Sequence, residues 1–311
     1  MGLCAETQVS LCCAFGGQLG EGEVLTVWVD DSPFIPYDSI SFNGTRLAKI
    51  QSLKEFENDV EMNTLPQYAH MSPDMMDDGH NTTLEFAAKW SKDFLMPLLA
   101  NEQFMNRTLV LLTYDESATY PIPNKIVSLL LGGAVPTELK GTEDDTFYTH
   151  YSILSTLENN WDLPNLGRYD VGANVFDMVA KKTGWTGNHA PVNAASVNNS
   201  LSYSGFLNND PAMYTPVPPP NLQLIGAGGQ GVDRMVKIQW AKEEKALTPY
   251  DGSGALADGG DGTTNPNAPL YKAQIPAPTL AKGRETKRSS GDKVDMKWAS
   301  IWVFMVAAFF V

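Results

Sequence analysis

Cysteine is nearly absent from this chain of 311 residues: Cys4, Cys12 and Cys13 are its only three, all within the first thirteen positions. A disulfide framework spread through the body of the fold is thereby excluded, and the count fixes no redox compartment. Basic residues are also scarce. Lys and Arg number 22 against 36 Asp and Glu, for a net charge of -14. Such a chain repels phosphate backbones, which excludes general nucleic-acid binding. Residues 1–30 lack a basic leading region and carry Glu6, Glu21 and Glu23, so they make a poor signal peptide. Met1 and Gly2 open like a myristoylation signal, but position 6 is Glu rather than Ser or Thr. No apolar run is of comfortable membrane-spanning length: the one that closes the chain, residues 298–311, has fourteen residues where about 20 are needed.

What the chain does contain is enough apolar material, 43% of residues, for a full core in one large or two smaller domains. Apolar residues recur at helical spacing over 47–61, at Leu47, Ile50, Leu53, Phe56 and Val60. Residues 65–71 read as a short strand that runs into an acidic turn. Thr82 and Glu85 have capping-box spacing and open a helix carrying Leu84, Ala87, Phe94, Leu95 and Leu98, with Pro97 in its last turn. Residues 108–113 (TLVLLT) are apolar or β-branched without alternation, as in a strand buried on both faces. A second strand over 124–131 stops at Gly132 and Gly133. Helices are expected over 150–159 and 174–183. Strands alternating with helices indicate an α/β domain with a largely parallel sheet. From 188 to 297 the periodicity gives way to Asn, Ser, Pro and Gly, and these residues read as an irregular extension and stalk.

The strand at 108–113 ends in Tyr114, Asp115 and Glu116. Ligands in open α/β sheets bind beyond the carboxyl ends of the strands, so two adjacent acids there are candidate ligands of a hard cation or acid/base groups. The alternative is a solvated turn. Asp77, Asp78, Gly79 and His80 place two carboxylates and an imidazole between a strand and a helix N-terminus, where free amides and a cationic ring suit an anion and a plain capping turn competes. His150 opens its helix in a polar turn as either a cap or a ligand. His70, between Ala69 and Met71 in a strand, reads as structural, and His189 carries no signal. Residues 226–231 (GAGGQG) match the G-x-G-x-x-G spacing, but prolines precede them and no strand-turn-helix surrounds them, so a nucleotide site is not expected.

Taken together, residues 32–40, the 78–80 turn with its helix, 113–120 (TYDESATY), 124–136 (NKIVSLLLGGAVP), 149–161 (THYSILSTLENNW) and 166–176 (LGRYDVGANVF) occur in an order that resembles the fungal secreted acid phosphatases of the phosphoesterase family. Bacterial phospholipases C are similar to the same group. The resemblance covers about residues 32–186. It implies an alkaline-phosphatase-like α/β fold, a mostly parallel sheet flanked by helices and incomplete at the N-terminus, that hydrolyses phosphate esters. Asp115 and Glu116 match the family's acidic pair at the metal or phosphate site, and a divalent metal ion is the cofactor so implied. His80 and His150 match its phosphate-proximal histidines and are the candidate catalytic residues. The family's first strand, its site Glu-Asn pair and its Ser or Thr nucleophile do not precede Ser32, and the dipeptides Glu57-Asn58 and Glu158-Asn159 lie in the wrong order to replace that pair.

The expected organisation is an atypical segment at 1–31, the C-terminal half of a phosphoesterase domain at 32–187, the extension at 188–297 and the apolar tail at 298–311. That tail follows the small residues Ser289, Ser290 and Gly291 across a polar spacer, which is the pattern of a lipid-anchor (GPI) signal. Sequons at Asn43, Asn81, Asn106 and Asn198 agree with a secreted or cell-surface glycoprotein. A small phosphate ester is the expected partner, with membrane contact only through the anchor. A phospholipase C type diesterase and a non-catalytic wall or surface protein are the rival readings.

Overall fold

The computed structural model describes residues 11–12, 34, 37–74, 76–79, 81–106, 108–115, 125–190, 218–254 and 300–305. They fall into two units. The first comprises Met1–Ala118, Lys125–Lys140 and Trp298–Val311, and the second Thr119–Asn124 and Gly141–Lys297.

The first unit begins with β1 (Leu11–Cys12), the short helices α1 (Asp38–Ser41) and α2 (Gly44–Leu47), and β2 (Ile50–Gln51), which pairs parallel with β1. The helical pattern expected over 47–61 is thus divided, and the long helix is α3 (Leu53–Met62). Ser52 N–H donates to the Glu55 carboxylate at 3.1 Å, which satisfies one of the orphan amides of the first turn, and Asn63 in the left-handed region (φ 54) ends the helix. β3 (Tyr68–Met71) follows, then α4 (Leu84–Ala100) and α5 (Glu102–Met105). The N-cap of α4 is Thr83, whose hydroxyl accepts from Phe86 N–H at 3.3 Å. Thr82, the cap that the spacing suggests, instead donates its hydroxyl to Met76 C=O at 2.6 Å, so a contact with the preceding turn moves the cap by one residue. The inner face of α4 is Ala87, Ser91, Leu95 and Leu98, at steps of four and three residues.

β4 (Thr108–Thr113) is buried on both faces: Leu109 and Val110 have no exposed surface and Leu111 has 2%. β5 (Leu129–Leu131) pairs with it antiparallel, with Val110 opposite Leu131. Only the last three residues of the expected 124–131 strand join the ladder. β6 (Ser300–Met305) lies between β3 and β4, parallel to both, so the sheet order is β3-β6-β4-β5. The apolar run at the chain's end therefore contributes a strand to this sheet. A run removed with a lipid-anchor signal cannot also hold this place, so a single molecule uses it in one way or the other. Phe56, Ala69, Met71, Leu95, Leu98, Phe104 and Val110 form the core that joins α3, α4 and α5 to one face of β3 and β4. Complete burial of Phe56 alone contributes about 1.5–3 kcal/mol.

The second unit is built around α6 (Tyr151–Trp161), α7 (Asp177–Thr183) and α8 (Arg234–Gln239). α6 buries polar side chains as well as Leu157, and most of them reach carbonyls, amides or a hydroxyl elsewhere. Ser155 Oγ donates to Ala173 C=O at 2.8 Å, Thr156 Oγ1 accepts from Phe176 N–H at 2.9 Å, and Asn159 Nδ2 donates to Ala227 C=O at 2.9 Å. Residues 218–254 are irregular in backbone, yet they are fastened to this unit. The fully buried Asn165 donates to Gln230 C=O at 3.0 Å, and its own carbonyl accepts from Asp233 N–H at 2.7 Å. Arg168 donates to Pro218 C=O at 2.6 Å and Tyr250 Oη at 2.8 Å, with its guanidinium over the rings of Trp240 and Tyr250. The glycines at 226 and 228 serve this packing. A Cβ on Gly228 would lie 2.4 Å from Leu163 O, and one on Gly226 would lie 2.7 Å from Asn165 Cβ. Among the described residues no helix is long and apolar enough to cross a membrane.

Candidate active site

The site expected from the sequence centres on the end of β4. Because β3 and β4 both run parallel to β6, they run parallel to each other, and Met71 and Leu112 stand level opposite Phe304. The segments that follow them therefore leave the sheet at the same carboxyl edge, two strand spacings or about 10 Å apart. Asp115 is two residues beyond β4 and half-buried. The turn before it is tied down by a hydrogen bond between the Thr113 and Ser128 hydroxyls at 2.7 Å and by Val127 N–H donating to Tyr114 Oη at 3.1 Å. Glu116 lies outside the described residues.

The acidic turn after β3 is organised by Asp74, whose Oδ1 accepts from Met76 N–H and Asp77 N–H, both at 2.9 Å. Asp78 is only 2% exposed, and Gly79 takes φ +95, a conformation that disfavours any side chain. Burial, and after it the neighbouring Asp74 carboxylate, push the Asp77 carboxyl up to about 6. His80 lies outside the described residues, between Gly79 and Asn81. His70 behaves as a core residue: it is 6% exposed, the Phe34 ring meets its edge, Ser72 Oγ stands 3.4 Å from Nε2, and burial lowers its pKa to about 4, so the ring is neutral.

His150 belongs to the second unit. It occupies the position just before α6, with helical φ/ψ and an exposed side chain. Thr149 N–H donates to Ser152 Oγ at 3.1 Å and so closes the turn on which His150 is carried. Beside it, Phe147, Thr149, Ser152 and Asn174 line a cavity of about 10 Å³. That volume holds about one water and is too small for a phosphate ester. Among the described residues no group of three or more His, Cys, Asp or Glu gathers closely enough to hold a metal ion. Of the expected acidic pair, Asp115 is the described member. A carboxylate at a strand's carboxyl end is the right kind of donor for a hard cation, and the six or more oxygens such an ion takes must come largely from other donors.

Sequence reasoning missed a buried carboxyl pair in the second unit, Glu158 at 5% and Asp170 at 1% exposure. No motif marks two acids twelve positions apart. Residues 15–164 match the Phosphoesterase family. A Kluyveromyces lactis protein named "Probable acid phosphatase" is 50% identical over 212 residues, which cover 68% of this chain and 49% of the relative. An Aspergillus fumigatus "Acid phosphatase" is 43% identical over 71% of this chain and 50% of its own length. A Penicillium chrysogenum "Phosphate-repressible acid phosphatase" is 39% identical over 71% and 54%. The chain thus spans about half the length of the curated relatives it matches. No solved structure matches it. Residues 15–164 thus carry the match to the Phosphoesterase family, and the relatives that align with this chain share the acid phosphatase name.

Proposed function

We propose that this chain supplies part of the catalytic site of an acid phosphatase that hydrolyses phosphate monoesters on an alkaline-phosphatase-like scaffold. The observation that carries the reading is the shared carboxyl edge of β3 and β4, which bears the Asp74–Gly79 turn and Asp115. Asp115 and Glu116 are the residues suited to hold a divalent cation. Such an ion, when bound, polarises phosphoryl oxygens and so stabilises the charge that develops on them. His80, on the turn ahead of the α4 N-terminus, is placed by sequence where an imidazolium and free amides offset phosphate charge. His150 is the second imidazole assigned to charge stabilisation or protonation of the leaving alcohol. Neither histidine forms a covalent phospho-enzyme in this scheme, and the Ser or Thr nucleophile that the resemblance implies is not matched within these residues.

The test compares an aryl phosphate monoester with an aryl diester at acidic pH. The 311-residue chain would be assayed alone and joined to the amino-terminal half of the Kluyveromyces lactis relative. The joined protein should prefer the monoester, and the chain alone should turn over at least about a thousandfold more slowly, as expected when a nucleophile is lost. Diester preference, or full activity of the chain alone, would refute the scheme.

We also propose that the protein is an extracellular glycoprotein, because Asn43, Asn81 and Asn106 are all exposed. Passed through a secretory host behind a leader, it should lose apparent mass on endoglycosidase treatment. The triple change to Gln at these positions should remove most of that difference, and an unchanged mass for the parent would contradict the proposal.

A further inference from the structure

Nothing in the sequence marks His189, yet in the structure both nitrogens of its ring face backbone carbonyls. Nδ1 stands 3.0 Å from Gly187 O, and Nε2 stands 2.6 Å from Ser253 O. A carbonyl oxygen can only accept. A neutral imidazole has one N–H and one bare lone pair, so it serves one of these carbonyls and turns its lone pair on the other. The imidazolium donates to both. Its charge also accords with the short contact to Ser253, since an ionised donor draws its acceptor closer than a neutral one does.

The backbone that carries the ring is fastened. His189 N–H donates to Asn174 Oδ1 at 2.9 Å, and its C=O accepts from Asn174 Nδ2 at 2.6 Å. Asn188 accepts from Val175 N–H at 2.9 Å and donates to Val175 C=O at 2.7 Å. What the ring reaches is the turn at residues 251–254. Just before this turn, Tyr250 is buried, takes a hydrogen bond from Arg168 on its hydroxyl, and takes one from Asn221 Nδ2 on its C=O at 2.8 Å. Within it, Ser253 N–H donates to Asp251 Oδ1 at 2.8 Å. Gly254 lies backbone to backbone against Gly172, where a Cβ on Gly172 would stand 2.4 Å from Gly254 N. Such a contact has no side chain to interlock. The bond from His189 to Ser253 spans 64 positions of sequence and ties the turn to the rest of the second unit.

We propose that His189 is an acid-dependent clasp, which as an imidazolium pins the 251–254 turn beside residues 172–174 and on losing a proton releases it, uncovering the cavity next to His150. Gly172 and Gly254 belong to the wall of that cavity, so the turn forms one side of it. Loss of the Nε2 proton breaks the bond to Ser253 directly. Loss of the Nδ1 proton sets a lone pair against Gly187 O, and Gly187 is backed by the Trp185 ring, 2.3 Å from where its Cβ would lie. The imidazole must then swing, and a swung ring leaves Ser253. Other titratable groups on the surrounding segments are engaged elsewhere or exposed. Asp251 accepts from Ser253 N–H, Asp144 accepts from Tyr148 Oη, Asp170 accepts from Leu166 and Arg168 N–H, and Lys181 pairs with Asp177 on α7. His150 and Lys182 are exposed. Among the described residues no carboxylate forms an ion pair with His189, so the two carbonyls are what its protons serve.

The test is hydrogen exchange of residues 251–254 in the full chain, corrected for intrinsic rates, with nitrogen NMR of the His189 ring. Protection of these amides should fall about tenfold or more from pH ~5 to pH ~8.5, the range over which imidazoles change charge. His189→Gln, whose side chain does not titrate, should show nearly flat protection over the same range, with His150 present in both proteins as the internal control. Equal pH dependence in the two would overturn the clasp. The NMR measurement stands even where the variant does not fold. At pH ~5 both ring nitrogens of the parent should carry protons, and protection of the turn should fall over the same pH range in which one of them is lost. A ring with a single proton at pH ~5, or one that titrates with no change in protection, would also overturn it.

Discussion

Asp115→Asn should lower kcat/KM for an aryl phosphate about a thousandfold in the joined protein, a loss of about 4 kcal/mol in transition-state stabilisation. The exchange replaces a carboxylate by a neutral amide of the same shape. Asp115 lies beyond the last residue of β4 and outside the Phe56–Val110 core. What changes is charge at the sheet's carboxyl edge, where an anionic oxygen is the donor a hard cation requires. A second readout works without turnover. Divalent ions should raise the thermal midpoint of the parent protein by mass action and leave that of the variant nearly unchanged. Parent-like kinetics together with a parent-like thermal response would remove Asp115 from the site.

The sequence makes β4 legible because complete burial writes itself as an unbroken apolar run, and the polar residues that end the run locate the edge. Less can be read where a tertiary contact decides. The cap of α4 falls on Thr83 because the Thr82 hydroxyl is engaged by Met76, two residues before the 78–80 turn. The terminal apolar run shows hydrophobicity and length, and these suit a strand between β3 and β4 as well as a tail destined for a lipid surface. Residues 218–254 carry no periodic signal since side-chain to backbone hydrogen bonds hold them, such as Arg168 to Pro218 and Asn159 to Ala227. Contacts between residues fifty or more positions apart leave no local pattern. The same holds for Glu158. Its sequence neighbourhood suggested only a Glu-Asn dipeptide on a helix, whereas its burial and the close approach of Gly226 come from residues distant in sequence. Of the expected site residues, Asp115 lies two residues beyond β4, His150 precedes α6 in the other unit, and His80 and Glu116 lie outside the described residues.

Gly133→Ala should destabilise the first unit by about 3 kcal/mol, although the substitution adds a single methyl group. A Cβ at Gly133 would stand 2.0 Å from Met105 O and 3.0 Å from Met105 C. The obstacle is backbone at the end of α5, not a flexible side chain that can swing aside. The adjacent Gly132 is equally confined, at φ +106 and 2.3 Å from Thr108 O, and Ala134 N–H donates to that same carbonyl at 3.0 Å. Relief of the clash must therefore move either the end of α5 or the 132–134 turn, which follows β5 where Leu131 faces Val110. Gly44→Ala is the control. No atom lies within 4 Å of its Cβ, and it sits at the start of α2, where alanine lowers the entropy of the unfolded chain and should be neutral or stabilising by up to about 1 kcal/mol. Urea midpoints of the two variants should diverge accordingly, and equal midpoints would show that the 132–134 turn yields. The loss should be confined to stability. Thr108 lies at the opposite end of β4 from Asp115, about 17 Å of strand away from Thr113, so the molecules that remain folded should keep their kcat/KM in the joined protein.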